Sequence, residues 1–465
     1  MSFDEKSEEH NSSGVSRREF VTQASSLTAG AAFPAIVPSS VFGANAPSER
    51  VNLAAFGVGN RGTEVNRGIR RFPDVRYVAV CDAYGSRREY AKKAWDEAQG
   101  GDYVKMYTNP WEVLQRSDID GVVICTPDHW HMPLAIAAAK AKKDMYVEKP
   151  LSCAMAWSWR LRDEVKRTGR IFQYGTMQRS SAGFLRACEL VRNGYIGKVN
   201  RVEVWGPDIS GEYNRFSCKQ WGSLRPIPPP PDLDVDLWCG PAPLRPYTAD
   251  RCTAFGTYHC DDYSLGYIGG WGAHPLDIMQ WGLDTDNTAP VFYEGAGTVP
   301  KAGLYKTVDN WDITCYYASG VTVRFMSVRI ARDAVRYRKR WSTHGTTFFG
   351  TDGWISVDRG LVSDRYQGVI EASKESLVKA TLGPNDTPLY QSSDHGRNFI
   401  DCIKSRKPTI CPLECAINSD TITHMSDIVV RTGRPVEYDP EKGRILNDPE
   451  QARMLDRPMR KKWAV

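Results

Sequence analysis

Residues 57–62 read Gly57-Val58-Gly59-Asn60-Arg61-Gly62, and Asp82 follows at the end of the next apolar run, Val75-Arg76-Tyr77-Val78-Ala79-Val80-Cys81. In a G-x-G-x-x-G string between a strand and a helix, the first glycine permits a tight turn and the second lets backbone amides approach a pyrophosphate. The third lets the helix close on the sheet with its positive end toward the phosphates. An acidic residue at the interval of Asp82 accepts hydrogen bonds from both ribose hydroxyls and repels a 2′-phosphate, which favours NAD(H) over NADP(H). Arg87 and Arg88 follow closely and could hold a phosphate, although the solvated start of a helix is their plainer place. Two more strings carry reactive groups: Cys125-Thr126-Pro127-Asp128-His129-Trp130-His131 and Glu148-Lys149-Pro150. A lysine ammonium beside an oxidised nicotinamide is repelled by the positive ring, which lowers its pKa toward the range of a proton shuttle. A surface salt bridge between Lys149 and Glu148 is the other reading, and the residues alone leave both open.

These strings need elements to hold them. Apolar β-prone runs at Val51 to Phe56, Val75 to Cys81, Gly121 to Cys125, Asp144 to Val147 and Ile171 to Tyr174 alternate with helical stretches at Thr63 to Arg71, Ser86 to Ala98, Pro110 to Gln115, Met132 to Ala141 and Ser158 to Thr168. Such alternation implies a parallel sheet covered on both faces, with ligand at the carboxyl ends of its strands. Beyond Gly175 the pattern changes. A helix at Phe184 to Arg192 and a strand at Val199 to Trp205 lead into a long proline-rich loop containing Pro226 to Pro231, the kind of loop that shapes a binding site or an interface. A helix at His274 to Trp281 precedes strand-like runs at Val291 to Gly295, Asn310 to Tyr317, Val321 to Val328 and Thr346 to Gly350, which read as a largely antiparallel sheet built from neighbouring segments. Helices at Ser393 to Lys404 and Leu413 to Thr432 complete the pattern. The expected class is α/β: an N-terminal Rossmann-type domain over 47–175, an α+β domain with a largely antiparallel open sheet over 176–435, and a C-terminal tail over 436–465.

The 465 residues are 41% hydrophobic and 25% charged, and a net charge of +5 is spread along the chain, so a nucleic-acid role has no electrostatic support. Residues 1–46 differ from the rest. Ser16-Arg17-Arg18-Glu19-Phe20-Val21 precedes a mildly apolar run ending Ala44-Asn45-Ala46, the layout of a twin-arginine export signal, and implies a periplasmic or otherwise exported protein with no integral membrane segment after the signal. Cys218, Cys239, Cys252 and Cys260 lie in one loop-rich region, where an oxidising compartment would permit one or two bridges. Cysteine spacing does not suggest zinc, and no metal site is expected. Among 14 tryptophans, those in the loop region could stack on sugar rings or anchor their own packing.

Taken together, the glycine string, Asp82, Thr126-Pro127 with His131, and Glu148-Lys149-Pro150 resemble the Gfo/Idh/MocA oxidoreductase family. The likeness continues through Gly175 to Ser180, Leu190 to Val199, Leu237 to Pro243 and Trp271-Gly272-Ala273-His274-Pro275-Leu276-Asp277, covers nearly all of the chain after the leader, and is closest to the exported branch. The resemblance implies that Lys149 touches the nicotinamide and the reacting hydroxyl, and that His274 is acid/base on that hydroxyl. It also implies cofactor contacts from Gly57, Gly59, Asn60, Arg61, Gly62, Asp82, Thr126, Pro127, His131 and Glu148. Arg179, Tyr267 and Asp277 are candidates for the substrate; Asp277, one helical turn beyond His274, can face the same way, although a helix cap or an internal ion pair is its plainer place. Members commonly carry an aspartate four residues before the histidine; this chain has Gly270 there, so Asp261, Asp262 or Asp277 substitutes, Tyr267 contributes a hydroxyl, or the chemistry differs. The expected activity is NAD(H)-dependent oxidation of a secondary hydroxyl on a sugar, sugar derivative or cyclitol, with the cofactor tightly bound because free NAD is scarce outside the cytoplasm. A glycosidase or lyase that oxidises the ring transiently is the alternative, and a non-catalytic sugar-binding relative comes third. Relatives commonly pair through the second sheet, so a homo-oligomer is expected.

Overall fold

A computed structural model describes residues 49–209, 221–360 and 367–465. The expected leader and Cys218 lie outside them.

Six strands form the first sheet: β1 (Val51–Phe56), β2 (Val75–Cys81), β3 (Lys105–Tyr107), β4 (Gly121–Ile124), β5 (Asp144–Val147) and β6 (Phe172–Tyr174), all parallel in the order β3-β2-β1-β4-β5-β6. β4 and β5 are buried along their whole length, as continuous apolar runs covered on both faces must be. The order reverses between β1 and β4, so their carboxyl ends open a crevice, and the loops carrying Gly57 and Thr126 face each other across it. β3 had no sequence signal because its short Lys-Met-Tyr run is largely exposed at the sheet edge.

The second sheet contains β7 (Val199–Gly206), β8 (Phe292–Thr298), β9 (Asn310–Tyr316), β10 (Thr322–Ser327), β11 (Gly345–Gly350), β12 (Trp354–Asp358), β13 (Val369–Ala372), β14 (Val436–Asp439) and β15 (Arg444–Leu446), in the order β13-β12-β11-β7-β10-β9-β8-β14-β15. It is antiparallel except where β7 runs parallel to β10. The sheet is therefore not built from neighbouring segments alone: β7 arrives from much earlier in the chain and splits the pair β10 and β11. Along β9, Trp311, Ile313 and Cys315 are buried while the alternate residues are partly exposed, so one face packs on the core and the other stays open. Helices Ala182–Arg192, Ala273–Leu283 and Leu413–Thr432 pack together on the covered side. The stretch 436–465 supplies β14 and β15, and its Trp463 is buried against Trp111 and Trp130.

Helix Leu413–Thr432 packs against both β6 and β8 and is buried on nearly every side, so the two sheets share it. Its buried hydroxyls cost little, because Ser419, Thr421 and Ser426 donate to carbonyls four residues back. Among the described residues no helix is long and apolar enough to cross a membrane.

Candidate active site

The glycine loop is shaped by close approach. Gly57 has φ +78°, and a Cβ there would lie 2.7 Å from Cys125 O and Thr126 N, so a side chain would force the ends of β1 and β4 apart. Gly62, in helix Asn60–Arg70, faces Gly57 O so tightly that a Cβ would come within 2.1 Å. Asp82 ends β2 and braces this loop: its two oxygens accept N–H groups from Val58 at 2.8 Å and Tyr84 at 2.9 Å. A carboxylate oxygen has further acceptor capacity, so these bonds leave room for ribose hydroxyls. The Thr126 hydroxyl is buried with no hydrogen-bond partner, and Asn60 opens the helix in an exposed position. A side-chain-free turn, a helix N-terminus, an orphan hydroxyl and a carboxylate together fit the phosphates and ribose of a dinucleotide. Arg87 stacks on Tyr84 at 4.2 Å and brings its guanidinium within 3.1 Å of the point a Gly59 Cβ would occupy. It folds back over the loop instead of pointing away from it, while Arg88 donates to Asp82 O at 2.5 Å.

The Thr126-Pro127 and Glu148-Lys149-Pro150 turns are tied together by His131, whose Nδ1 faces Pro150 O at 2.7 Å and whose Nε2 faces Thr126 O at 3.0 Å. Expected as a cofactor contact, His131 has both ring nitrogens turned to backbone, which makes it a strut of the groove. Glu148 is buried and paired with Arg61 at 2.8 Å, and the same guanidinium reaches Glu64 at 2.8 Å. Burial pushes the Glu148 carboxyl up, but Arg61 and Lys149 outweigh it and hold the group below its ordinary value. The salt bridge to Glu148, the other reading open for Lys149, thus belongs to Arg61.

Lys149 instead reaches across to the second lobe, donating to Gly270 O at 2.9 Å with Tyr258 Oη at 3.5 Å. Burial lowers its pKa to about 8, with Glu148 opposing and Arg61 reinforcing the shift. His274 stands in the first turn of helix Ala273–Leu283, 5% exposed, its Nδ1 buried without a partner. Burial, followed by the nearby Arg359 and Lys149 charges, drives its pKa well below the ordinary imidazole range, so the ring is neutral at neutral pH. Trp271 locates the meeting point. Its ring lies 5.6 Å from Lys149 Nζ, 6.0 Å from the His274 ring, 5.4 Å from the His344 ring and 5.6 Å from Arg359 Cζ. Lys149, from the first lobe, thus borders an indole that stands three residues before His274 in the second.

Two expected substrate residues lie elsewhere. Arg179, 2% exposed, grips the fully buried Asp277 through contacts of 2.7–3.0 Å and also holds Asp286 at 2.6 Å. Both are held in an internal ion pair, the plainer of the two readings of Asp277. Tyr267 is buried against Tyr258 and His259. Asp262 pairs with Arg245 at 3.1 Å. Cys239, Cys252 and Cys260 are free and buried, so no bridge joins these three.

Sequence reasoning missed His344, Gln178 and Tyr258. His344, just before β11, is buried, its Nε2 lies 3.1 Å from the Gln178 amide nitrogen, and its Nδ1 has no partner. No motif surrounds it; only the register of β11 against β7 carries it to Trp271. Asp128 was quoted without a role. It is buried, with one carboxylate oxygen unpartnered, and burial raises its pKa to about 7 despite Ser264 and Lys149.

A profile of the oxidoreductase family's NAD-binding Rossmann fold matches residues 51–176, and a profile of that family's C-terminal alpha/beta domain matches 186–334 and 379–465. The chain belongs to the Gfo/Idh/MocA oxidoreductase family. It is 31% identical over 159 residues to myo-inositol 2-dehydrogenase of Thermotoga maritima, covering 34% of this chain and 46% of that one. It is 29% identical over 207 residues to alpha-N-acetylgalactosaminidase of Shewanella oneidensis, covering 40% and 44%. The chain thus spans less than half the length of these curated relatives. Aldose-aldose oxidoreductase from Caulobacter crescentus shares the fold, with a TM-score of 0.57 at 19% identity over 84% of this chain and 100% of that one.

Proposed function

We propose that the chain is an exported NAD(H)-dependent oxidoreductase acting on a secondary hydroxyl of a sugar, sugar derivative or cyclitol, with the cofactor retained between turnovers. The observation that carries this reading is that Lys149, from the turn after β5, and His274, from a helix of the second lobe, border the same Trp271 indole. Bound NAD would supply the hydride acceptor. An alcohol carbon gives up hydride only as its O–H proton leaves, so the residues around that oxygen decide the rate. His274 is neutral and can take the proton. Lys149, mostly protonated below about pH 8, donates to the same oxygen and stabilises the negative charge that builds there. The partly exposed Trp271 indole offers an apolar platform for a ring face. Asp82, beside the loop, supports NAD(H), while Arg87 lies close enough that preference against NADP(H) rests on Asp82 alone.

The similarity to an alpha-N-acetylgalactosaminidase favours one second reading, in which oxidation of the ring is transient and a substituent is eliminated before the hydride returns. Purified protein, freed of small molecules and analysed by mass spectrometry for a retained nicotinamide, should then be mixed with cyclitols, aldoses and glycosides. Accumulation of a keto product with reduced cofactor supports the dehydrogenase; release of an aglycone without net redox change supports the second reading. Neither outcome with any compound would leave a binding protein. The twin-arginine layout of residues 16–21 supports export, and the open face of the second sheet supports assembly of two or more copies through it.

A further inference from the structure

An ammonium has three N–H donors. On Lys149 one goes to Gly270 O at 2.9 Å and a second faces Tyr258 Oη at 3.5 Å, which leaves the third for the groove. Tyr258, on helix Ala254–His259, lays its ring directly over Gly270, where a Cβ would meet Cδ1 and Cε1 at 3.0 Å. The absent side chain at 270 is therefore the space the tyrosine ring fills, and the carbonyl of the same residue anchors the amine. The ring also lies 5.4 Å from Lys149 Nζ and is backed by Tyr267 at 5.5 Å.

We infer that Tyr258 is a positioning residue for Lys149: its hydroxyl accepts one ammonium proton and its ring, seated on Gly270, fixes the amine so that the remaining N–H points at the reacting oxygen. This assignment rests on the oxidoreductase reading for its kinetic consequence, though not for the contact itself. Burial keeps the phenol neutral by pushing its pKa upward, so across the working range it accepts from an ammonium without competing for the substrate's proton. Glu148, Arg61, Asp128 and Arg359 also act on the Lys149 charge, and all four side chains remain in a variant changed only at Tyr258.

The test is Tyr258→Phe, which keeps the ring over Gly270 and removes only the hydroxyl. Thermal midpoint and retained cofactor should match wild type, kcat should fall roughly tenfold with KM nearly unchanged, and the Lys149 pKa should move down by about half a unit. That pKa is read by amine-reactive labelling across pH with mass spectrometry of the Lys149 peptide, which needs no substrate. Gly270→Ala, which displaces the ring, should reproduce the kinetic loss, and the double variant should lose no more than either single. An unchanged or upward-moving Lys149 labelling curve in Tyr258→Phe overturns the assignment, as does an unchanged kcat. If wild type reduces its cofactor with no sugar or cyclitol, the functional reading fails, and the labelling curve still decides the role of Tyr258.

Discussion

Replacing Arg179 by methionine separates a buried strut from a substrate-binding residue. In wild type, Asp277 is fully buried and accepts guanidinium N–H groups at 2.7 and 3.0 Å, while Asp286, 27% exposed in its side chain, is held at 2.6 Å. Methionine fills much of the volume but leaves Asp277 without a counter-charge; Asp286 can rehydrate. Breaking a buried pair from one side costs about 3–5 kcal/mol. With unfolding entropy near 2.1 cal/mol/K per residue across the folded body, that corresponds to a thermal midpoint lower by roughly 3–6 °C. The pH dependence has a definite sign. Burial already raises the Asp277 carboxyl above its ordinary value against the pull of Arg179. Without Arg179 it rises further, so the variant's deficit is smallest below the ordinary carboxylate pKa and grows as pH rises through the raised value. Calorimetric or fluorescence melts at about pH 5 and about pH 8 should show the larger deficit at the higher pH. Arg179→Met/Asp277→Leu, which removes both charges, should recover most of the loss. A variant with wild-type stability and a KM raised tenfold would refute this account and return Arg179 to the substrate.

Three further outcomes follow from the site. Gly57→Ala should cost about 1–3 kcal/mol in backbone strain and abolish cofactor retention, read by mass spectrometry of the purified protein, because its Cβ would strike the Cys125-Thr126 peptide. His274→Ala should lower kcat by about 10²–10⁴-fold while cofactor remains bound, since only proton handling is removed. In wild type, kcat should titrate with an apparent pKa near 8, falling above it as Lys149 loses the proton it donates to the developing oxyanion; in Lys149→Met that limb should vanish from the pH-rate profile.

The first sheet was legible because its strands are continuous apolar runs and its loops carry glycines that close approach demands, as the contacts at Gly57 and Gly62 bear out. Much of the second sheet was legible from alternating burial, as along β9. Its centre was not, because the pairing of β7 with β10 and β11 depends on contacts between distant segments that no local pattern records. The same limit governed the site. Lys149 stands at a strand end that any parallel sheet delivers to ligand, whereas His344 and Tyr258 reach Trp271 and Lys149 only through tertiary register. An internal ion pair was the plainer reading of Asp277, and the fold supplies what the sequence could not, its partner Arg179, ninety-eight positions away in the chain. Cys239, Cys252 and Cys260 share a loop region yet lie buried as separate thiols.

The central claim is that an amine and an imidazole from opposite lobes act on one oxygen. Single-turnover reduction of the cofactor-loaded protein by a sugar or cyclitol, followed by nicotinamide absorbance in wild type, Lys149→Met, His274→Gln and the double variant, tests it most directly. Groups that act as a unit lose their effect together, so each single change should slow reduction by at least about a hundredfold and the double change should add little. Full reduction rates in either single variant, or losses that multiply as independent effects in the double, would contradict the account.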